Sequence, residues 1–484
     1  MTQPLVMALD AGTTGVRARL IRKDGTAVAS AYREFPQYFP QPGWVEHDAN
    51  EIWDAICGVI EEVAQHGSPV AIGITNQRET IVAWSRATSQ PLHRAIVWQD
   101  RRTANRCESL GAHIDRVRAT TGLVLDPYFS GTKCAWLINE GGVPVSNDLA
   151  FGTIDSWLVW KLSGGAVHAT DPSNASRTML FDIGKMSWSE EMCALIGVPI
   201  EALPQVLPSS GMFATTSGVK GLADGTPISG IAGDQQAALF GQTCFAAGQA
   251  KNTYGTGSFV LMNIGNHLPT PMSGMLTTVA WDLGDGPVYA LEGSIFVTGA
   301  AVQWLRDGLQ IIEKSSETEA LALSVPDSGG LVFVPALTGL GSPWWDPDAR
   351  GGVFGITRGT TRAHFARAAV DSMVYQTRDV IDAMNTALES SGRPTLIDLR
   401  VDGGASAMNS MLQMQSDQLG VSVLRPRDLE TTSLGAAYLA GLAVGVWSSL
   451  DEITQNWHLD KQFDPGPAAP GYEQWLRALE RVRH

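Results

Sequence analysis

The sequence lacks the residue groupings that form metal sites or disulfide frameworks. Its five cysteines are odd in number and scattered, and no pair has the spacing of a zinc or redox site. The zinc-binding motif H-E-x-x-H is also missing. The sequence reaches Asp10 without a basic and apolar signal region, so we expect reduced thiols in a cytoplasmic protein.

Blocks of basic residues and long apolar runs are missing as well. The 484 residues carry a net charge of -15, so nucleic acid is not expected as a partner. The longest apolar run, residues 434–447, is too short and too rich in glycine to span a bilayer, so no membrane association is expected. With 44% hydrophobic and 17% charged residues, the composition is typical of a globular α/β protein, and the length predicts two or three domains.

Two common catalytic motifs are absent too. Without G-x-x-x-x-G-K-[ST] the chain is not a P-loop enzyme, and without G-x-S-x-G an α/β-hydrolase is disfavoured. The midpoint of the chain instead carries IAGDQQAALFGQ at residues 231–242. An apolar strand closes there on Gly233, and Asp234 opens an alanine-rich helix. Asp234 is therefore either the N-cap of that helix or a general base at the carboxyl end of a strand.

A strand, a Gly/Thr turn and a second strand occur twice in the sequence. Residues 5–21 contain the turn AGTTG, and residues 250–262 contain the turn YGTGS. Each turn could be a plain hairpin connection, and each could cradle a phosphate with its backbone N–H groups. The repetition predicts an internal duplication with a boundary between residues 242 and 249, and a nucleotide that both turns touch.

Three further segments matter for the site. The pattern predicts a capped amphipathic helix at residues 48–63, a strand at 71–75 that leads into NQRET, and a polar loop at 171–178. In the second half a helix opens at Gly299, and residues 399–405 form a strand that ends in glycines, with Asn409 in the next helix. Those glycines either let a backbone approach a flat ligand or let a helix pack closely on a strand.

A series of stretches resembles the FGGY family of carbohydrate kinases, and in particular its members that phosphorylate glycerol. The stretches follow one another in the family's order over nearly the whole chain. They are residues 9–14 (LDAGTT), 76–80 (NQRET), 96–103 (IVWQDRRT), 126–130 (DPYFS), 233–242 (GDQQAALFGQ), 251–257 (KNTYGTG), 345–351 (WDPDARG), 400–405 (RVDGGA) and 430–432 (ETT).

The resemblance implies an α/β fold of two ribonuclease-H-like (actin-like ATPase) domains with a cleft between them. Residues 1–243 would form the domain that binds the polyol, and residues 244–484 the domain that binds the nucleotide. The implied reaction is the phosphorylation of glycerol by ATP, with Mg²⁺, to give sn-glycerol 3-phosphate and ADP. A homo-oligomer, either a dimer or a tetramer, is implied as well.

The resemblance also assigns roles by position. Asp234 would be the general base and, with Asp10, would lie near Mg²⁺. The polyol would be hydrogen-bonded by Arg78, Glu79, Tyr128, Asp234 and Gln235, and its carbon edge would be covered by Trp98 and Phe259. The residues around ATP and ADP would be Thr13, Thr14, Gly15, Arg17, Gly255, Thr256, Gly299, Gln303, Gly404, Ala405 and Asn409.

Several of these residues have plainer explanations when they are taken singly. Arg78 and Glu79 could form a surface ion pair, and Trp98 and Phe259 could be core aromatics. Together they suit a small polyol, because such a molecule offers hydroxyl groups on one edge and C–H groups on the other.

The sequence departs from the resemblance at several positions. Gly15 and Val16 stand where the relatives usually have two serines, and Ser258 stands where a cysteine is frequent. Residues 218–225 lack the arginine of relatives inhibited by fructose 1,6-bisphosphate. No histidine lies between His168 and His267, so the histidine phosphorylated in some relatives has no counterpart.

Two other functions remain open at this point. A kinase of the same family could act on another small polyol or sugar, but a larger substrate would need space where Tyr128, Trp98 and Phe259 crowd the pocket. An actin-like ATPase without a small-molecule acceptor would share the two hairpins, but it would have no use for residues 76–80 or for Tyr128.

Overall fold

The structure is a computed structural model that describes residues 3–269, 274–390 and 392–483. The strands in chain order are β1 (Leu5–Ala11), β2 (Gly15–Arg22), β3 (Ala27–Glu34), β4 (Glu46–His47), β5 (Ala71–Asn76), β6 (Ile81–Ser85), β7 (Ala95–Ile96), β8 (Leu149–Thr153), β9 (Ala169–Thr170), β10 (Phe181–Asp182), β11 (Ser187–Trp188), β12 (Gln205–Val206), β13 (Ser210–Thr215), β14 (Pro227–Gly233), β15 (Gln249–Tyr254), β16 (Ser258–Asn263), β17 (Leu276–Asp282), β18 (Pro287–Ile295), β19 (Val332–Val334), β20 (Gly352–Phe354), β21 (Asp398–Asp402), β22 (Val423–Pro426) and β23 (Leu459–Phe463).

The helices surround and separate the sheets. In chain order they are α1 (Ala49–Ala64), α2 (Ala104–Ser109), α3 (Ile114–Thr121), α4 (Ser130–Asn139), α5 (Ile154–Leu162), α6 (Pro172–Ala175), α7 (Glu190–Ile196), α8 (Asp234–Gly241), α9 (Gly299–Asp307), α10 (Glu317–Ala322), α11 (Arg362–Glu389), α12 (Asn409–Leu419), α13 (Thr431–Ala443), α14 (Leu450–Thr454) and α15 (Tyr472–Glu480). Among the described residues, no helix combines the length and the apolar character that a bilayer crossing requires.

Two large sheets share one topology. The first has the strand order β13-β14-β5-β1-β2-β3, and the second has the order β17-β18-β16-β15-β21-β22-β23. In each, a central strand pairs antiparallel with the next strand of the chain and parallel with a later one, β1 with β2 and β5, and β15 with β16 and β21. Five adjacent strands of each sheet, numbered by their order in the chain, therefore follow the pattern 3-2-1-4-5. They are β3-β2-β1-β5-β14 in the first sheet and β18-β16-β15-β21-β22 in the second. The predicted duplication and the two ribonuclease-H-like domains are confirmed by this shared order.

A smaller sheet of four short strands comes from the first half of the chain. It has the order β4-β7-β6-β8. The four residues between β5 and β6 include Arg78 and Glu79, and Trp98 is the second residue after β7. The pairing of β6 with β7 therefore brings these two segments side by side.

The predicted helices are mostly confirmed. Helix α1 begins after Asp48, whose carboxylate accepts a hydrogen bond from the backbone N–H of Asn50 at 2.8 Å, and α9 begins at Gly299. The prediction of a plain polar loop at 171–178 is wrong, because it contains α6 with Asp171 as its N-cap. A helix of four residues is too short for apolar periodicity to show, so only the Asp-Pro start could have indicated it.

Helices α8 and α13 form a layer between the two large sheets. Their backbones approach so closely that an added Cβ at Gly435 would collide with the carbonyl oxygen of Ala237, and one at Gly241 with that of Thr431. Helix α13 also covers the first sheet, since a Cβ at Gly73 in β5 would collide with the carbonyl oxygen of Ala436. A helix from the second half of the chain thus covers the sheet of the first half, and the domain boundary at residues 243 and 244 stays a prediction.

We expect Gly435→Ala to destabilise the protein, because the colliding atom belongs to backbone that cannot move aside. The free energy of unfolding should fall by about 1–3 kcal/mol, as for other overpacked sites. The matched control is Gly58→Ala in the middle of α1, where the added Cβ meets the guanidinium tip of Arg33, a half-exposed side chain that can swing away. Apparent melting temperatures of both variants measure the difference. A Gly435→Ala variant as stable as Gly58→Ala would contradict the close helix crossing.

Candidate active site

The carboxyl ends of three parallel strands form one edge of the first sheet. Strands β1, β5 and β14 run parallel there, and they end at Ala11, Asn76 and Gly233. Asp10 and Asp234 lie at this edge. The N-cap of α8 is Gly233 and not Asp234, so the alternative of Asp234 as the N-cap is wrong.

The two aspartates influence each other electrostatically. Burial, the charge of Asp234 and the charge of Glu430 together raise the pKa of Asp10 to about 7. Burial raises the pKa of Asp234, and the positive charges of Arg78 and Lys251 oppose that rise. The two carboxylates therefore repel each other in a partly enclosed place.

The chemistry of this pair fits Mg²⁺. The part of the chain that the structure describes contains no group of three or more His, Cys, Asp or Glu residues arranged to hold a metal ion. Mg²⁺ is usually bound through only one or two carboxylates and takes its remaining ligands from phosphates and water. Asp10 and Asp234 could supply such a pair, and a divalent cation would relieve their repulsion.

A chain of four buried charges lies next to Asp234. Arg78 forms a two-pronged ion pair with Glu292, with Nη1 at 2.5 Å from Oε2 and Nη2 at 3.0 Å from Oε1. Arg177 joins this carboxylate to Glu79, donating from Nη2 to Glu292 Oε1 at 2.9 Å and from Nε to Glu79 Oε1 at 2.7 Å. Burial acts to raise the pKa of Glu292, but the two arginines outweigh it and lower that pKa to about 2.

This network crosses between the two large sheets. Glu292 belongs to β18 of the second sheet, while Arg78 follows β5 of the first sheet. The side chains of Arg78, Glu79, Arg177 and Glu292 are all at most 2% exposed. Breaking one such buried pair leaves an uncompensated charge, which typically costs about 3–5 kcal/mol. The network therefore holds the two halves in a fixed relation at the base of the site.

Two backbone features make room for the network. Glu79 has a φ of 60°, in the left-handed region that side chains other than glycine rarely occupy. Gly233 is needed because an added Cβ there would lie 2.6 Å from Cγ of Arg78. Unfavourable backbone conformations of this kind cluster at functional sites, since the surrounding structure must compensate for them.

The Nη hydrogens of Arg78 are occupied by protein partners. Besides Glu292, Nη1 donates to Gln236 Oε1 and Nη2 to Tyr128 Oη, both at 3.3 Å. Nε lies 3.2 Å from Asp234 Oδ1. The predicted direct bond from Arg78 to a polyol therefore requires that one of the two 3.3 Å bonds be replaced.

Besides the buried Nη1 of Arg177, four polar groups around Arg78 are left without a hydrogen-bond partner among the described residues. Two are acceptors and two are donors, and each belongs to a residue predicted to bind the polyol. They are Glu79 Oε2, Asp234 Oδ2, the amide Nε2 of Gln235 and the hydroxyl hydrogen of Tyr128. A ligand with several hydroxyl groups could satisfy them, because each hydroxyl both donates and accepts.

Three aromatic rings surround the same place. The ring centroid of Trp98 lies 5.5 Å from that of Tyr128 and 6.3 Å from that of Phe259, both edge-on. The guanidinium carbon of Arg78 lies 5.8 Å from the centroid of Phe259. The structure thus brings together the predicted polyol residues from the first half and Phe259 from the second.

Both hairpins reach this cluster through Trp98. The indole Nε1 of Trp98 donates to Thr13 Oγ1 at 3.0 Å in the first turn. Phe259, against which Trp98 packs, follows the second turn directly. The two Gly/Thr turns therefore meet one cleft from opposite sheets, as the duplication predicted.

The first turn is fixed by a hydrogen bond from Gln77 and packs against the backbone of Arg33 on one side. Gln77 donates from Nε2 to the carbonyl oxygen of Gly12 at 3.1 Å, which fixes the turn. An added Cβ at Gly15 would lie 2.6 Å from the backbone of Arg33, so only glycine fits there. Thr14 is exposed. Arg17, predicted to contact the nucleotide, forms an ion pair with Glu430 in this structure.

The second turn contacts Gly299 at the start of α9 and Gly403 just after β21. The backbone N–H of Gly299 donates to the carbonyl oxygen of Gly255 at 3.1 Å, and that of Ala300 to the carbonyl oxygen of Thr256 at 2.9 Å. An added Cβ at Gly403 would collide with the carbonyl oxygen of Tyr254. This packing brings Gly404 and Ala405 next to the second turn.

Two predicted nucleotide residues have no such link. The side chains of Gln303 on α9 and Asn409 at the start of α12 are exposed and form no hydrogen bonds within the described ranges. Both side chains are accessible to solvent, and their contact with a nucleotide stays a prediction.

Sequence reasoning missed three charged residues of the site. Arg177 lies just after α6, in the segment that was predicted to be a plain loop, and Glu292 lies in the middle of an apolar strand. Lys251 belongs to a recognised stretch but received no role, although its Nζ donates to Gln235 Oε1 and, at 3.0 Å, to Thr253 Oγ1. A charged residue inside an apolar strand was the available signal for Glu292, whereas Lys251 lies in the polar strand QAKNTY and had no such signal.

Comparisons with known proteins agree with this arrangement. A glycerol kinase of Symbiobacterium thermophilum is 54% identical over 100% of this chain and 99% of its own length. A glycerol kinase of Dechloromonas aromatica is 52% identical over 99% of this chain and 97% of its own length. The crystal structure of Plasmodium falciparum glycerol kinase with ADP superposes with a TM-score of 0.92 at 32% identity, covering 99% of this chain and 98% of that chain.

The fold extends to other carbohydrate kinases. The xylulose kinase of Lactobacillus acidophilus, at 21% identity, has the same fold with a TM-score of 0.88, covering 99% of this chain and 97% of that chain. Residues 5–241 match the N-terminal domain of the FGGY family of carbohydrate kinases, and residues 250–444 match its C-terminal domain. Since these two matches cover most of the chain, the protein belongs to the FGGY family of carbohydrate kinases.

Proposed function

We propose that this protein transfers the γ-phosphoryl group of ATP to a terminal hydroxyl of glycerol, forming sn-glycerol 3-phosphate and ADP. The observation that carries the proposal is the set of four unpaired polar groups around Arg78, enclosed by the rings of Trp98, Tyr128 and Phe259. Two acceptors and two donors suit a molecule with few hydroxyl groups. The full-length similarity to glycerol kinases supports the same substrate.

The polyol is held by complementary hydrogen bonds. Its hydroxyl groups donate to Glu79 and Asp234 and accept from Gln235 and Tyr128, while its C–H edge packs on Trp98. Arg78 joins when a hydroxyl oxygen replaces one of its 3.3 Å partners. These groups are positioned by the buried ion pairs before the polyol arrives, so that little ordering is needed on binding.

Asp234 accepts the proton of the attacking hydroxyl. Its Oδ1 is held by the backbone N–H of Gln235 at 2.7 Å and by Arg78 Nε at 3.2 Å, which leaves Oδ2 free for the polyol. Phosphoryl transfer needs positioning and charge stabilisation more than covalent help from the protein. Asp10 and Asp234 would hold Mg²⁺, which when bound supplies neutralisation of the phosphate charges.

The phosphates of ATP lie against the two Gly/Thr turns, whose backbone N–H groups can bind an anion. The nucleoside lies towards Gly404, Ala405 and Asn409. Arg17 contributes only after it leaves Glu430, so a phosphate competes with that carboxylate for the guanidinium.

A cytoplasmic location and assembly into a dimer or tetramer belong to the proposal as well. All five cysteines are free thiols, four of them buried, which fits a reducing compartment.

Glycerol should be the best acceptor in a panel with dihydroxyacetone, erythritol, ribitol, xylulose and gluconate. The reason is the small number of unpaired groups and the close aromatic rings. ADP release measured at fixed ATP gives kcat/KM for each acceptor. A four- or five-carbon acceptor that exceeds glycerol by tenfold, roughly the effect of a 1–3 kcal/mol pocket difference, would contradict the assignment. ADP release that needs no acceptor would favour an ATPase instead.

Tyr128→Phe should weaken glycerol binding and leave ATP binding unchanged. The ring stays, but the hydroxyl donor is lost, so KM for glycerol should rise about five- to tenfold. Tyr289→Phe is the matched control, because its buried hydroxyl donates to the carbonyl oxygen of Ile183 at 2.8 Å, away from the cluster. Steady-state kinetics for both substrates separate the two variants. Equal glycerol KM values in the two variants would place Tyr128 outside the binding site.

Asp234→Asn should lower kcat by about 10²–10⁴-fold, because the amide keeps the shape but cannot accept the proton. The matched control is Asp48→Asn at the N-cap of α1, where asparagine caps as well as aspartate, so stability and kcat should stay near normal. Melting temperature and kcat are measured on the same preparations. A folded Asp234→Asn variant with near wild-type kcat would remove Asp234 from the mechanism.

A further inference from the structure

Lys251 is a buried cation that connects the second sheet to the polyol site. Its side chain emerges from β15, is inaccessible to solvent, and ends on Gln235 of α8. Thr253 Oγ1, 3.0 Å from Nζ, provides a second acceptor two residues further along the strand. The positive charge of Lys251 acts on Asp234 from a distance, but its hydrogen bonds go to Gln235 and Thr253, and the contact with Gln235 calls for its own explanation.

The chemistry of the contact determines how the Gln235 amide is turned. A lysine ammonium can only donate hydrogen bonds, so the atom of Gln235 that faces it must be the carbonyl oxygen Oε1. The amide nitrogen Nε2 then faces away from Lys251, and it has no partner among the described residues. Without the lysine, the two ends of the amide could exchange places, and an acceptor could take the position of the donor.

We propose that Lys251 is a positioning residue that fixes the Gln235 amide with its Nε2 donor towards a polyol hydroxyl oxygen. The inference rests on the proposed function, because it gives Gln235 a polyol as ligand. It adds a specificity element to that function. Glu79 and Asp234 select hydroxyl hydrogens, and the oriented amide selects a hydroxyl oxygen at a defined place.

The lysine is held from the side of the second domain. Thr253 pairs in register with Asp402, whose negative charge attracts the ammonium, as does that of Asp234. Asp402 is in turn fixed by Gln242 Nε2 at 2.8 Å and by the hydroxyl of Thr431 at 2.5 Å. Asp402 directly precedes the glycines at the second turn. Residues next to the glycines predicted to contact the nucleotide thus determine where the Lys251 ammonium can reach. Through the ammonium they also determine how the Gln235 amide is oriented.

A double-mutant cycle tests the proposal. Lys251→Met and Gln235→Met each remove the polar end while keeping an unbranched side chain of similar length. Each should raise KM for the polyol about tenfold, the order of one charge-assisted hydrogen bond. The double variant should be at most about twofold worse than the worse single variant, because both changes remove one contact. KM for ATP should stay within about twofold of wild type in every variant.

The competing explanation is that Lys251 binds a phosphate of ATP directly. In that case Lys251→Met would raise KM for ATP or lower kcat at unchanged polyol KM, and its effect would multiply with that of Gln235→Met. Either result would overturn the proposal.

Thr253→Val keeps the test decisive if Lys251→Met does not fold. This nearly isosteric change removes one anchor of Nζ but leaves the buried charge in place, and it should raise polyol KM about two- to fivefold, without additivity to Gln235→Met. Unchanged polyol KM in a folded Thr253→Val variant would contradict the inference. If the wild-type enzyme prefers another polyol, the proposed function fails while the same cycle, run with that polyol, still tests the role of Lys251.

Discussion

A chain of buried ion pairs, Arg78–Glu292–Arg177–Glu79, determines the geometry at the base of the cleft. Its charges balance, and its carboxylates are held by guanidinium groups in fixed planar contacts. Four charges out of water are stable only as long as every partner stays in place. Because Glu292 comes from the second sheet and the other three from the first half of the chain, the network also fixes how the two halves meet.

The remaining features of the site depend on this constraint. Arg78 is held rigidly by Glu292, so its Nε can hold one oxygen of Asp234 and leave the other free. Glu79, in its left-handed backbone conformation, is held by Arg177 through one oxygen and presents the other. The polar groups offered to a ligand are therefore those that the ion pairs do not occupy. Their number and kind suit a small polyol better than a larger sugar.

The two Gly/Thr turns illustrate how a duplicated fold builds one site. Each turn follows the central strand of its sheet, and Trp98 connects them by bonding Thr13 and packing on Phe259. Helices α8 and α13 fill the space between the sheets, and glycines at their crossing let the backbones touch. The layer that joins the domains thus begins at Asp234, so the geometry of the joint and the position of the reactive carboxylate are coupled.

The sequence alone determined the duplicated architecture and its two hairpins. Strand–turn–strand repeats and glycine-rich strand ends are local patterns, so they predicted the duplication and both hairpins. The candidate residues of the site came from the resemblance that the ordered motifs carry. Pairings between distant segments have no local signal. Only the tertiary structure decided that Arg177 and Glu292 support Glu79 and Arg78, that Arg17 pairs with Glu430, and that Lys251 faces Gln235. Lys251 and Gln235 lie 16 residues apart, and Arg78 and Glu292 lie 214 apart. The four charges of the Arg78–Glu292–Arg177–Glu79 chain must meet opposite charges because they are buried, and no local pattern in the sequence shows which residues the fold buries together.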